Sequence, residues 1–296
     1  MTAAVALIAV TIVWGFTFVQ VKDAVAVYPL FAFLTVRYAI ASAVLVPAAL
    51  PRLRGLRRDG LVAGVILGAL LAVGSALQTA GLERTTVTNT GFITGLYVLL
   101  TPLFALALFR TRITRELWAA VVLALVGLAL LAGVPSGSAS GDLLVLLSTG
   151  AQALQIVMVE RYANRYDAVG LTFVQMVAAL VGFALIAVAL GDLSVPHGAT
   201  VWAALLVTGV FASALAYLIQ IWAQRRISAT RIAIIFSLET VFAGLFGYLL
   251  DGDRLSLVGW TGCALIFAAI LVAEPAASRT LGRLVTPRRG RARTPA

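Results

Sequence analysis

Charge is what this sequence has least of. Asp, Glu, Lys and Arg make up 11% of its 296 residues, while 61% are hydrophobic; an ordinary soluble domain carries about 25% charged residues. A core cannot absorb that much apolar surface in a chain of this length, so lipid must be the solvent. Cysteine occurs once, as Cys263 in an apolar run, which excludes a disulfide framework and a thiolate metal site. Histidine also occurs once, as His197 beside Pro196 in a loop, where an imidazole needs no special site and reads as solvated. An intramembrane enzyme needs paired acids, a His/Cys cluster or a Ser-His arrangement. The chain offers little to build one, so no enzyme, metal or cofactor is expected. It also lacks a Gly-x-x-x-x-Gly-Lys loop, so ATP is not its energy source.

Long hydrophobic runs are what it has instead. A bilayer core of about 30 Å takes near 20 helical residues, and ten runs qualify: 3–21, 30–50, 60–80, 86–109, 116–134, 141–159, 170–190, 200–222, 231–250 and 257–274. Runs of this length predict helices, because a barrel would alternate over about ten residues. Turn formers mark the breaks, at Pro29, Pro51, 135–137, Gly191 and 251–253. The breaks are short, so the helices should pack as one bundle. The first run lacks a basic start and a small-residue cleavage site, and should stay in the mature protein.

Arginine sets the orientation. It gathers after the even-numbered runs: Arg52, Arg54, Arg57 and Arg58; Arg110, Arg112 and Arg115; Arg161 and Arg165; Arg225, Arg226 and Arg231; and six more in the tail from Arg279. The opposite loops hold Lys22, Arg84 and Arg254 among acids such as Asp23, Asp142 and Asp192. Both termini should therefore be cytoplasmic, in a cell membrane and by expectation the bacterial inner one. The net charge of +10 is then a topology signal rather than a nucleic-acid surface.

The stretch 85–131 has an echo at 227–272. Each runs through hydroxyl-rich residues, an apolar run, a short charged break, a tryptophan (Trp118, Trp260) and another apolar run. A unit of five helices must insert its second copy upside down, and the loop charges agree: 110–116 is basic and its counterpart 251–254 acidic. The expected fold is an all-α integral membrane protein of ten transmembrane helices in two inverted five-helix repeats. The expected division is 1–137, 138–275, and a basic cytoplasmic tail over 276–296. Inverted repeats are the architecture of alternating-access carriers; a non-transporting scaffold or sensor is the competing reading.

Helical projection sorts the polar residues. Thr86, Thr90, Thr94, Tyr97 and Thr101 form one stripe in the fourth run, beside a small-xxx-small pair, Gly91 and Gly95, suited to close helix approach. Ser148, Gln152 and Gln155 share a face in the sixth run, and Ser213, Tyr217, Gln220 and Gln224 in the eighth. Such stripes either line a cavity or hydrogen-bond between helices and to their own backbones. Two charges lie well inside runs, away from their ends: Arg37 and Glu239. A charge at the bilayer centre costs at least about 2.5–3.5 kcal/mol, so it pairs or lines a wet path; Glu239 is either a structural acid, held by an ion pair or a hydrogen bond with a partner such as Arg37, or a coupling acid. On the wheel it shares its face with Phe236, Phe242 and Phe246, which suits an organic substrate with an amine or a flat ring. The candidate cavity set is Trp14, Gln78, Thr94, Tyr97, Gln152, Gln155, Tyr217, Phe236 and Glu239, with Arg37 as the second charge.

Four stretches carry a resemblance: WGFTFV with VK (14–19, 21–22), FLTVRY (33–38), NTGFITGLYVLLTPL (89–103) and RISATRIAIIFSLETVFAGLF (226–246). The chain resembles the EamA family of the drug/metabolite transporter superfamily, over nearly its whole length. The resemblance implies a ten-helix inverted-repeat carrier, usually an exporter of amino acids, metabolites or drugs. Two departures stand out. Thr240 occupies a place where the family commonly has proline, which implies a straighter ninth helix, and Gly252-Asp253 replaces glycine-glutamate. The expected function is a secondary transporter of a small organic molecule, with lipid and protons as partners and an uncoupled facilitator or exchanger as the alternative. Phosphorylated-sugar exchange would need several cavity cations, and Arg37 alone is available in the runs.

Overall fold

The computed structural model describes residues 2–132, 138–250 and 256–273, and every element in its chain order is a helix. The turn at 135–137, the loop 251–254 with its departure from the family pattern, and the tail over 276–296 lie outside the described residues. Helices α1 Thr2–Val25, α2 Leu30–Leu53 and α3 Arg58–Leu82 come first. The fourth run is two helices, α4 Val87–Gly95 and α5 Tyr97–Phe109, and α6 Arg115–Ala132 follows. After α7 Ala139–Ala163 and α8 Ala168–Leu190, the eighth run is α9 Ala199–Leu206, a π-helical segment Val207–Leu215 and α10 Ala216–Gln224. The ninth run is α11 Ala229–Phe236 and α12 Leu238–Leu250, and the last is α13 Leu257–Ala273.

Eight stretches are long and apolar enough to cross a membrane, counting Val87–Phe109, Ala199–Gln224 and Ala229–Phe246 as single stretches. The other two helices, α6 and α13, lie against each other. Their crossing is a backbone contact: a Cβ on Gly262 would sit 2.5 Å from the Gly127 carbonyl oxygen. In lipid, where apolar surface gives no net drive to associate, such close approach through small residues is what holds helices together.

Local chemistry explains the ends. Thr86 caps α4 by accepting from the Asn89 N–H at 3.1 Å, and Asp167 caps α8 by accepting from the Val169 and Gly170 N–H groups. Gly191, in the left-handed region at φ 72°, ends α8. Leucines and valines such as Val65, Val122, Leu185 and Leu271 are exposed on the outer surface, while glutamines, threonines and Glu239 are buried. That is the reverse of a soluble protein, as expected with lipid outside.

The three interrupted runs depart from the straight helices expected. The ninth breaks at Ser237 although Thr240 stands where proline was expected to bend it. The Thr240 N–H reaches the Ser237 carbonyl at 3.2 Å, a tight turn, and its hydroxyl donates to the Gly91 carbonyl at 2.8 Å. The fourth run breaks in the same way at Leu96, whose N–H bonds the Ile93 carbonyl at 3.1 Å.

Candidate functional site

The breaks at Leu96 and Ser237 put Tyr97 and Glu239 each in the first turn of a half-helix. The two side chains meet: the Tyr97 hydroxyl donates to Oε2 of Glu239 at 3.1 Å. Glu239 is 6% exposed, and the positive end of the α12 dipole lies beside its carboxylate. Gly91 and Gly95 make the approach possible, as the small-residue pair implied. A Cβ on Gly91 would stand 3.1 Å from that of Ala243, and one on Gly95 would stand 2.7 Å from the Thr240 hydroxyl oxygen.

Glu239 opens onto a cavity with about 570 Å³ of empty space, its mouth included. Trp14, Arg37, Gln78, Gln152 and Tyr217 line the same cavity. Trp14, Gln152 and Tyr217 are shared with a smaller cavity of about 310 Å³, which adds Tyr97, Gln155 and Phe236. Every candidate except Thr94 therefore lines one of the two, and Thr94 lies just behind the wall, accepting from Gln78 Nε2 at 3.0 Å. The aromatic rings touch in a chain. Trp14 meets Phe236 edge-on with ring centres 4.8 Å apart and Tyr217 at 5.7 Å; Phe236 meets Tyr97 at 6.3 Å. Edge-to-face pairs at these distances hold their geometry and present π faces to a guest.

Two expectations are corrected. Arg37 is not the partner of Glu239: its Nε donates to Ser213 Oγ at 2.8 Å, its guanidinium lies 5.5 Å from the Tyr38 ring centre, and no ion pair joins the two among the described residues. Of the three phenylalanines, Phe236 alone lines either of these two cavities. Phe242 packs over Gly15 of α1 and Phe246 meets Phe16 at 5.3 Å, because that flank of α12 lies against α1.

The remaining stripe residues divide. Thr90 donates to its own helix at the Thr86 carbonyl, and Thr101 is buried with no hydrogen-bond partner among the described residues. The glutamines form a buried relay. Gln155 Nε2 donates to Gln175 Oε1 at 3.4 Å, and Gln220 Nε2 donates to Gln155 Oε1 at 3.0 Å and to Gln224 Oε1 at 3.1 Å. Gln175 Nε2 and Gln220 Oε1 remain unmatched in that relay. At the arginine-rich end α7 is tied to α10 and α11. Gln224 Nε2 donates to the Ile156 carbonyl at 2.8 Å, Arg225 to the carbonyls of Ala163 at 2.9 Å and Tyr166 at 2.6 Å, and the Ala229 N–H to Glu160 at 3.1 Å. The larger cavity runs the other way, reaching Val21 and Leu82 near the opposite ends of α1 and α3.

Sequence reasoning passed over several wall residues. Thr17, Phe18 and Val21 continue the face of Trp14 on α1, and Ser75 and Thr79 flank Gln78 on α3. Helical spacing of three and four would have found both stripes. The π-helical segment carried no such signal, yet it holds two cavity residues: Trp14 Nε1 donates to the Ala212 carbonyl at 2.9 Å, and Ser213 holds Arg37. Among the described residues no group of three His, Cys, Asp or Glu side chains could hold a metal.

The family model of EamA-like transporters matches residues 1–133 and, separately, 139–273. A protein from Archaeoglobus fulgidus, named an uncharacterized transporter, is 34% identical over 264 residues, which is 89% of this chain and 82% of that one. A crystal structure named only as that of a protein superposes with a TM-score of 0.76 at 20% identity, over 95% of this chain and 99% of the other. The last likeness concerns the fold alone.

Proposed function

Since the chain belongs to the EamA-like transporter family, and is thus an all-helical integral membrane transporter, we propose that it exports a small organic molecule by alternating access, in exchange for protons. The observation that carries this reading is Glu239. It is a buried acid on a cavity wall, held by Tyr97 at a helix break and not neutralised by Arg37. A carboxylate there is stabilised by a bound cation, and its protonated form by an empty cavity. It therefore holds a proton or an amine, but not both, which couples the two fluxes. Aromatic walls suit the apolar or ring-bearing part of the cargo.

The proposed architecture has ten spans in two inverted five-helix repeats, 1–137 and 138–275, with both termini cytoplasmic in the bacterial inner membrane. The double match of the family model supports the repeat, and the arginine loops support the orientation. In this arrangement the cavity reaches outward, and the α7–α10–α11 hydrogen bonds close the cytoplasmic side. Breaking them while the outer mouth narrows would complete the cycle.

The test is a confirmed substrate's pH-gradient-driven uptake into inverted vesicles. Glu239→Gln keeps size and hydrogen bonding while fixing the neutral form, and it should abolish driven uptake at matched protein level. Unchanged driven uptake in Glu239→Gln makes Glu239 a structural acid and favours an uncoupled facilitator or exchanger.

A further inference from the structure

At the arginine-rich end, away from the central cavity, the α2–α3 turn faces the α7–α8 turn across an open pocket. It has about 1050 Å³ of empty space, its open side included. Arg52, Arg57 and Arg165 line it, together with Asp59, Tyr166 and Asp167. The two acids do not neutralise it fully. Arg57 stands 3.8 Å from Asp59 with both side chains largely exposed, a contact worth little. Arg52 stands 3.5 Å from Asp167, whose Oδ1 also caps α8. Asp59 also accepts from the Tyr166 hydroxyl at 3.1 Å, so the two turns are braced against each other. The Arg165 side chain has no hydrogen bond or ion pair within the described residues.

An apolar groove begins at the neighbouring residue. Arg52 lines the pocket, and Leu53, the next residue, lines the groove. Leu61 and Val65 of α3 and Phe173, Val174, Val177 and Val181 of α8 complete it, around about 840 Å³ of space with its open side included. Its floor is fixed. A Cβ on Gly64 would fall 2.5 Å from Val174 Cγ1, and one on Gly68 would fall 2.6 Å from Ala178 Cβ, so the α3–α8 seam has no room to close or shift. An oily channel ending in a concave cluster of arginines, at the level where spans meet water, matches a molecule with one hydrocarbon end and one anionic end.

We propose that this corner is a binding site for a single anionic phospholipid, its phosphate among Arg52, Arg57 and Arg165 and an acyl chain along α3 and α8. The site is independent of the Glu239 reading. It explains why arginines meant for topology alone would converge on a pocket rather than spread into solvent. The occupant is lipid and not a free anion, because the groove contributes apolar surface that a soluble phosphate leaves empty.

Delipidated protein in detergent is titrated with phosphatidylglycerol or with phosphatidylcholine of identical chains, and bound lipid is counted by native mass spectrometry. One phosphatidylglycerol should be held about tenfold more tightly than phosphatidylcholine. That preference should vanish in R52Q/R57Q/R165Q, and V177W, which fills the groove, should weaken both lipids. The triple R110Q/R112Q/R115Q, on the same face but outside the pocket, should keep the preference. Equal retention of the two lipids overturns the proposal, as does equal loss in the control triple, which would mean general surface charge. Displacement of phosphatidylglycerol by equimolar glycerophosphoglycerol or inorganic phosphate makes it a free-anion site and overturns the lipid assignment. If the first triple unfolds, R165Q alone decides, since that side chain makes no hydrogen bond or ion pair among the described residues.

Discussion

Tyr97 and Glu239 each stand in the first turn past the break of an interrupted helix, and share a hydrogen bond of 3.1 Å. The acid thus joins α5 to α12 at the depth of the cavity. A proton or a cargo that alters Glu239 alters a contact between two half-helices, which couples binding to movement of the breaks.

Tyr97→Phe removes the donor and keeps the ring against Phe236. A hydrogen bond to a charged group contributes about 1.5–3 kcal/mol, so thermal stability should fall measurably, and proton-driven flux compared at matched folded-protein level should fall on the order of tenfold or more. Wild-type driven flux in Tyr97→Phe, measured in the same vesicles as Glu239→Gln, would show that the acid works without its partner.

The ties at the arginine-rich end should hold that side shut. In a Cys263→Ala background, a cysteine at Ile156, which lines the smaller cavity, should react slowly with an impermeant thiol reagent applied from that end. Adding Gln224→Leu and Arg225→Gln removes one neutral and two guanidinium donors to Ile156, Ala163 and Tyr166 and should speed the reaction at least tenfold, since a neutral bond contributes about 1 kcal/mol and a charged one about 1.5–3 kcal/mol. Unaltered reactivity would place the barrier elsewhere.

The α6–α13 crossing should tolerate no side chain. Gly262→Leu drives carbon into the Gly127 backbone and should lower the melting temperature markedly, since overpacking costs about 1–3 kcal/mol or more. Gly150, with nothing within 4 Å of its would-be Cβ, is the matched control: Gly150→Ala should leave stability equal or higher by about 0.5–1 kcal/mol. Equal melting of the two variants contradicts the close crossing.

Single cysteines at Arg57, Arg112 and Arg226 should be shielded from impermeant reagents in intact cells, and one at Ser138 labelled, again in Cys263→Ala. External labelling of the arginine positions reverses the orientation.

Much of this was legible because lipid imposes simple rules. Apolar runs located the helical stretches, and the residues singled out in the sequence, Trp14, Arg37, Gln78, Gln152, Tyr217 and Glu239, make up half of the larger cavity's lining. The breaks at Leu96 and Ser237 were not legible, because neither carries proline and each depends on a tight turn packed across α4 and α12. The π-helical segment Val207–Leu215 reads as an ordinary apolar run. A pairing of Glu239 with Arg37, one of the alternatives the sequence left open, is not made, because Ser213 and Tyr97 offer the two charges nearer partners. The ties at the arginine-rich end use the carbonyls of Ile156, Ala163 and Tyr166, and an acceptor that every residue possesses leaves no trace in a sequence.

The bond from the Trp14 indole to the Ala212 carbonyl fixes the largest ring of the wall to a π-helical turn. A guest that needs the indole's space must first part that bond and leave a carbonyl unmatched inside the bundle, at about 1–3 kcal/mol. Small guests meet no such demand. On the proposed transport reading Trp14 acts as a sieve whose mesh is set by a hydrogen bond, and Trp14→Phe, which keeps a ring but frees the carbonyl, should widen what the cavity admits rather than empty it.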